Sequence, residues 1–153
     1  MIDVSNILTL KAHISNPGTN VLWQIKPKVD LYVTEIEITQ RDNTAEHAIA
    51  QLIDLSVAAT VTAGVGGDTV LENDPNIVAG DILDLSTTTT GHTGSGAGTA
   101  GTNEQWSQGF DIRIGGLFKR KPVKLLANTL WAVRFKAAPA GSHNWCVVVE
   151  LEI

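Results

Sequence analysis

The chain has 153 residues, 16 carboxylates against 11 Lys and Arg for a net charge of -5, and a single cysteine. A domain of this length buries roughly 70% of its unfolded surface without disulfides or metal, so residues 1–153 read as a single domain. The acidic balance argues against wrapping nucleic acid, which rests on neutralising phosphates with Lys and Arg, and the lone Cys146 leaves no intramolecular disulfide.

The N-terminal stretch MIDVSNILTLKAH lacks a basic leader and a long apolar run. No segment approaches the length of about 20 apolar residues that spans a bilayer, so a soluble protein made in the cytosol is expected. Leu8, Leu10, Ala12 and Ile14 alternate as a first strand, closed by the turn Asn16-Pro17-Gly18. Val21, Trp23 and Ile25 form a second, stopped at Lys26-Pro27-Lys28 because proline cannot donate to a ladder. In VDLYVTEIEIT the apolar set passes from Val29, Leu31 and Val33 to Ile36 and Ile38, a change of parity that signals a bulge. Over residues 45–55, Ala48, Ile49, Leu52, Ile53 and Leu55 fit a helical stripe, whereas Ile49, Ile53 and Leu55 fit a strand with Gln51 facing inward. The β-branched continuation and the β context on both sides favour the strand.

Gly64 to Gly67 break the pattern, Asn73-Asp74-Pro75-Asn76 is a turn cluster, and Ile82, Leu83 and Leu85 suggest a short strand. Residues 87–101, TTTTGHTGSGAGTAG, read as a flexible Gly/Thr-rich loop that cannot enter a core. Trp106, Gln108, Phe110, Ile112 and Ile114 then alternate until Gly115-Gly116. Trp131, Val133, Phe135 and Ala137 make the penultimate strand, turned by Pro139-Ala140-Gly141. Last, Trp145, Val147, Val149, Leu151 and Ile153 share one face and Cys146, Val148, Glu150 and Glu152 the other, so the chain should end inside a sheet. About eight strands with regular turn signals predict an all-β, antiparallel β-sandwich, jelly-roll-like.

Catalytic motifs are not evident. His13, His47, His92 and His143 lie at no ligand spacing and are expected at the surface. Glu35/Glu37 and Glu150/Glu152 each point one way from a strand, as paired glycosidase acids do, but also as a solvated sheet face does. AGVGGDT and GSGAG lack the Lys-Ser/Thr of a phosphate loop, and no nucleophile elbow occurs. Glu72, Asp74 and Asp81 lack the alternating ligand order of calcium loops and fit turn chemistry. Trp23, Trp106, Trp131 and Trp145 all fall on core parity, with room for one of them or a Phe at a subunit contact. The cations Lys119, Arg120, Lys121 and Lys124 in GGLFKRKPVK are the one concentrated charge, read as a projecting turn that either is merely solvated or contacts an acidic partner or phosphate.

The C-terminal third, with EQWSQGFDIRIGG, the basic turn reaching Pro122, ANTLWAVRFKAAPAG and NWCVVVELEI, resembles small bacteriophage capsid decoration (cement) proteins. The resemblance implies a jelly roll, a homotrimer, the major capsid protein as partner, and a place on the capsid surface after synthesis in the host cytoplasm. It supplies no catalytic residues and no cofactor, and implies no nucleic acid, membrane or small-molecule substrate. The alternative is a carbohydrate- or receptor-binding module that uses Gly/Thr loops and exposed tryptophans. An enzyme is not expected.

Overall fold

The computed structural model describes residues 7–15, 21–40, 45–59, 69–90, 98–137 and 143–153. Its strands are β1 (Ile7–Ser15), β2 (Val21–Ile25), β3 (Leu31–Gln40), β4 (His47–Val57), β5 (Thr69–Glu72), β6 (Thr89–Thr90), β7 (Thr99–Asp111), β8 (Gly116–Leu125), β9 (Trp131–Ala137) and β10 (Asn144–Glu152). A single helical turn, α1 (Ala79–Ile82), lies between β5 and β6. One sheet runs β5-β1-β10-β3-β8 and the other β6-β2-β9-β4-β7.

The winding follows from the pairings. With the short β5 and β6 set aside, the first strand pairs with the last and so on inward: β1 with β10, β2 with β9, β3 with β8, β4 with β7, all antiparallel. This long ribbon is rolled so that β10 also meets β3 and β9 also meets β4. That is the strand order of a jelly roll. The fold is therefore the all-β sandwich expected, with ten strands in place of about eight.

Alternation places one side chain in two between the sheets. Leu8, Leu10, Ala12 and Ile14 of β1 lie opposite Leu151, Val149, Val147 and Trp145 of β10, and all eight are buried. Facing them across the core are Trp23, Ile25, Ala48, Ala50, Leu52, Trp131, Val133 and Phe135, with the Phe135 and Trp145 rings 4.9 Å apart. Each large apolar side chain so buried contributes about 1.5–3 kcal/mol. The parity change in β3 is a bulge, as expected: Val33 and Ile36 are both buried, and the register slips between Val33 and Glu35 on β8 and between Glu150 and Leu151 on β10.

Several expectations need correction. In β4 the residues that enter the core are Ala48, Ala50 and Leu52, one position out of step with Ile49, Ile53 and Leu55. Alanine gives little apolar signal, yet it fits a core already crowded by Trp and Phe rings. Gln51 is buried on the outer side, where Arg134 Nε donates to its Oε1 at 2.7 Å and its own amide donates to the Glu104 carboxylate. Leu55 packs there with Val21, Ala59 and Ala132 in a second small cluster. Ile82 to Leu85 is not a strand: α1 ends at Ile82, Leu83 makes an isolated bridge to Pro27, and Leu85 is exposed. The Asp84 carboxylate accepts from Ser86 N at 3.1 Å and Ser86 Oγ at 2.5 Å, which turns the chain.

Residues 87–101 are not one loop. Thr88 is buried, its Oγ1 accepting from Lys26 N at 3.0 Å, and Thr89 and Thr90 pair with Gln24 and Trp23. Gln24, itself buried, donates to Thr87 O at 2.8 Å and accepts from Ala59 N at 2.7 Å. Thr99 to Gly101 already belong to β7, whose start is anchored by Asp54 Oδ1 accepting from Asn103 N at 2.9 Å. Residues 91–97 lie outside the described residues, as do the turns expected at 16–18, 64–67 and 139–141. β7 also ends earlier than expected, at Asp111, and Ile114 and Ile153 are exposed beyond the ends of their strands.

Candidate docking surface

The four cations foreseen on a projecting turn lie within β8, an edge strand of its sheet. The turn comes earlier. Asp111 closes it, its Oδ1 accepting from Arg113 N and its Oδ2 from Arg113 Nη2, both at 2.9 Å, while its carbonyl accepts from Ile114 N and Gly115 N. Gly115 takes φ 77°, and a Cβ there would stand 2.9 Å from Ile38 O, so the position requires glycine. The chain is thereby already in strand conformation when it reaches Lys119.

Register interrupts the ladder within the cluster. Val33 pairs with Val123 and Glu35 with Lys119, so Thr34 alone stands opposite Arg120, Lys121 and Pro122. Three residues against one make an enlarged bulge, which twists an edge outward and interrupts its ladder. Pro122 has no N–H to offer a neighbouring strand. The bulge also reverses parity, so that Phe118 before it and Leu125 after it are both buried. Beneath it runs a narrow apolar cleft lined by Val33, Ile36, Leu52, Trp106, Phe118 and Val123. Outside it, Lys121, Pro122, Val123 and Lys124 line an open groove against Gln105 of β7.

The cations are not equivalent. Lys124 Nζ lies 3.0 Å from Asp30 Oδ2, both side chains about half exposed. The Ala127 N–H and then Lys124 hold the Asp30 carboxyl below the usual carboxylate range, and Asp30 in turn raises the Lys124 ammonium. Lys121 is exposed in the groove. Lys119 holds a backbone position beside Glu35. The bulge was missed in reading the sequence, although the opposed parities of Phe118 and Leu125 carry the signal.

The other candidates do not converge. Glu35 and Glu150 are direct cross-strand neighbours on the outer face of their sheet, whereas Glu37 faces Val148 and Glu152 faces Tyr32. His143 corrects the expectation of surface histidines: it is buried, its Nε2 3.1 Å from Glu46 Oε2 and its ring edge-on to Trp145. His47 is exposed, His13 half-buried, and His92 lies outside the described residues. Glu72 Oε1 accepts from Ala79 N at 2.6 Å and Asp74 Oδ1 from Asn76 N at 2.8 Å, the work of turns. Among the described residues no group of three or more His, Cys, Asp or Glu is placed to hold a metal ion, and no helix is long and apolar enough to cross a membrane. Cys146 is half-buried on the outer face opposite His13. All four tryptophans and all three phenylalanines are buried within the chain. Compared with known protein families, curated proteins and solved structures, the chain matches none.

Proposed function

We propose that this chain is a structural virion protein that binds and stabilises the exterior of a bacteriophage capsid as a homotrimer, without enzymatic activity or cofactor. In this reading it is made in the host cytoplasm, docks on the major capsid protein, and engages no nucleic acid, membrane or small molecule. The observation that supports it best is the bulged edge strand β8, along which Lys119, Arg120, Lys121 and Lys124 follow within six residues in a chain of net charge -5. Charge placed so speeds encounter with an acidic partner and is screened by salt over a Debye length of about 8 Å. A carbohydrate-binding reading would lean on exposed tryptophans, and all four are buried.

The test is co-sedimentation with isolated shells. Replacing the four cations by Ala should leave the fold intact and weaken binding about tenfold or more at low salt, with a smaller loss at high salt. Lys121→Ala should account for more of the loss than Lys124→Ala, because Lys124 already pairs with Asp30. Unchanged affinity of the quadruple variant at low salt would reduce the cluster to a guard of the sheet edge.

A further inference from the structure

Four described strands border the two sheets, and three of them discourage a new neighbour: β5 has four residues, β6 has two, and β8 carries its bulge and Pro122. β7 is different. From Trp106 to Asp111 it pairs with β4 in unbroken register, among the described residues no strand lies on its other side, and this stretch holds neither Lys nor Pro. The direction of its backbone groups follows from one bond. Ile112 N donates to Glu46 O at 3.0 Å, continuing the register in which Asp111 faces His47. Antiparallel pairing alternates, so Trp106, Gln108, Phe110 and Ile112 turn N–H and C=O toward β4, while Ser107, Gly109 and Asp111 turn theirs away. The Asp111 carbonyl, which accepts from Ile114 N and Gly115 N in the turn, points as this alternation requires. Ser107 and Gly109 are both exposed, and at Gly109, which has no side chain, the exposed surface is main chain.

Beside this edge runs the basic one. The Phe118 ring of β8 stands 4.7 Å from that of Trp106 and 5.6 Å from that of Phe110, so β7 and β8 border the same side of the sandwich, and Lys121 and Lys124 share a groove with Gln105. The two edge strands carry four cations against Glu104 and Asp111, and those carboxylates already have cations of their own, Lys136 at 3.3 Å and Arg113 at 2.9 Å. Asp30 holds Lys124 at 3.0 Å. Glu35, Glu37 and Asp54 lie one strand further in, where Glu35 faces Lys119 in register and Asp54 accepts from Asn103 N.

We infer that this side takes an extended acidic segment of the partner, which adds a strand to β7 while its carboxylates meet the cations of β8. The inference rests on the docking proposed above and names the chemistry of what docks. A row of outward N–H and C=O groups is matched by another extended backbone. Charge then selects among backbones. A second copy offering its own β7 would draw two β8 edges together, each with Lys119, Arg120, Lys121 and Lys124 within six residues, and like charges so placed repel. An acidic strand meets attraction at the same place.

The test is amide hydrogen exchange read by NMR on the full chain. The probe is a short peptide of alternating Glu and Val, blocked at both ends and added at millimolar concentration, with its Lys-for-Glu counterpart as control. In the free protein the Ser107 and Gly109 amides should exchange about tenfold or more faster than those of Gln108 and Phe110, which β4 protects. The acidic peptide should slow Ser107 and Gly109 by about tenfold, and the Lys peptide should leave them unchanged. Ser107→Pro removes an outward N–H, so it should keep the wild-type melting curve and abolish the slowing at Gly109. Lys121→Glu should weaken the slowing with the edge intact, and it decides the matter with the peptide pair if the proline variant does not fold. Amides at Ser107 and Gly109 already protected without peptide, no slowing by the acidic peptide, equal slowing by both peptides, or slowing that survives Ser107→Pro would each overturn the inference. Shells that bind wild type and Ser107→Pro alike would overturn it too and leave the docking proposal standing. Slowing by the acidic peptide in a protein that binds no shells would remove the docking proposal alone and leave β7 as an acceptor of acidic strands.

Discussion

Val149 sits at the centre of its sheet, opposite Leu10 on one side and Ile36 on the other, with no exposed surface. Val149→Asp buries a carboxylate with nothing to pair with, at a cost of several kcal/mol. Its neighbour Glu150 faces outward beside Glu35, where like charges directly opposite are unfavourable, so Glu150→Gln should be neutral or slightly stabilising. Urea unfolding of the two variants checks both, and equal midpoints would reverse the faces assigned to β10. Two further single residues are held by backbone and amide chemistry. Gly115→Ala should cost about 1–3 kcal/mol, because it forces a left-handed residue against the Ile38 carbonyl. Gln24→Leu should cost about 1–3 kcal/mol, since the Ala59 N–H and Thr87 carbonyl lose the amide that satisfies them.

Among the elements, β8 separates two roles that the sequence merges. Cations and proline on an edge guard it against pairing, and in the docking proposed above the same edge would meet the partner. Changing Lys121 and Pro122 together to Val should leave the melting temperature near that of the wild type while turbidity rises on storage, because a straight apolar edge invites strand addition. Deleting residues 87–101 should now destabilise the protein, since it removes the acceptor of Gln24, the buried Thr88 and the start of β7. A low-complexity composition hides this, for threonine signals neither core nor turn until its hydroxyl finds a donor such as Lys26 N. Connections also carry the pH response. Asp30, Asp84 and Asp111 are held below the usual range by the Ala127 N–H, the Ser86 hydroxyl and Arg113 respectively. Glu104 is lowered as well: desolvation opposes the shift, but hydrogen bonds led by Lys136 outweigh it. A carboxylate with a depressed folded pKa stabilises above its unfolded value and loses that contribution as pH falls through the folded one. Melting temperature should therefore hold steady down to about pH 4 and decline below it, the more gently in high salt because all four groups are solvent-facing.

For the whole molecule, alternation made the sandwich legible. Strands β1 and β10 follow their apolar parity residue by residue, β9 does so at Trp131, Val133 and Phe135, and the β3 bulge is visible as a shift from Val33 to Ile36. Less legible was anything set by a partner strand. The inward face of β4 rests on Ala48 and Ala50, the burial of His143 on Glu46 and Trp145, and the basic cluster's placement on a three-against-one register. Of the candidate docking surface, the residues were plain in the sequence and their setting was not, because a bulge is a property of two strands and a sequence shows one.

The pairing of β1 with β10 has a further consequence. Residues Ile7 to Ser15 have their long neighbour at Asn144 to Glu152, and until then only the short β5 can cover one side of β1. At about 5–20 residues per second, a ribosome needs on the order of ten seconds to travel from one to the other. Throughout that interval Leu8, Leu10, Ala12 and Ile14 lack the Leu151, Val149, Val147 and Trp145 that later lie beside them. A nascent chain of this protein therefore cannot complete its first sheet in the order it is made. The alternating segment at its front is the natural place for a chaperone to bind while translation continues.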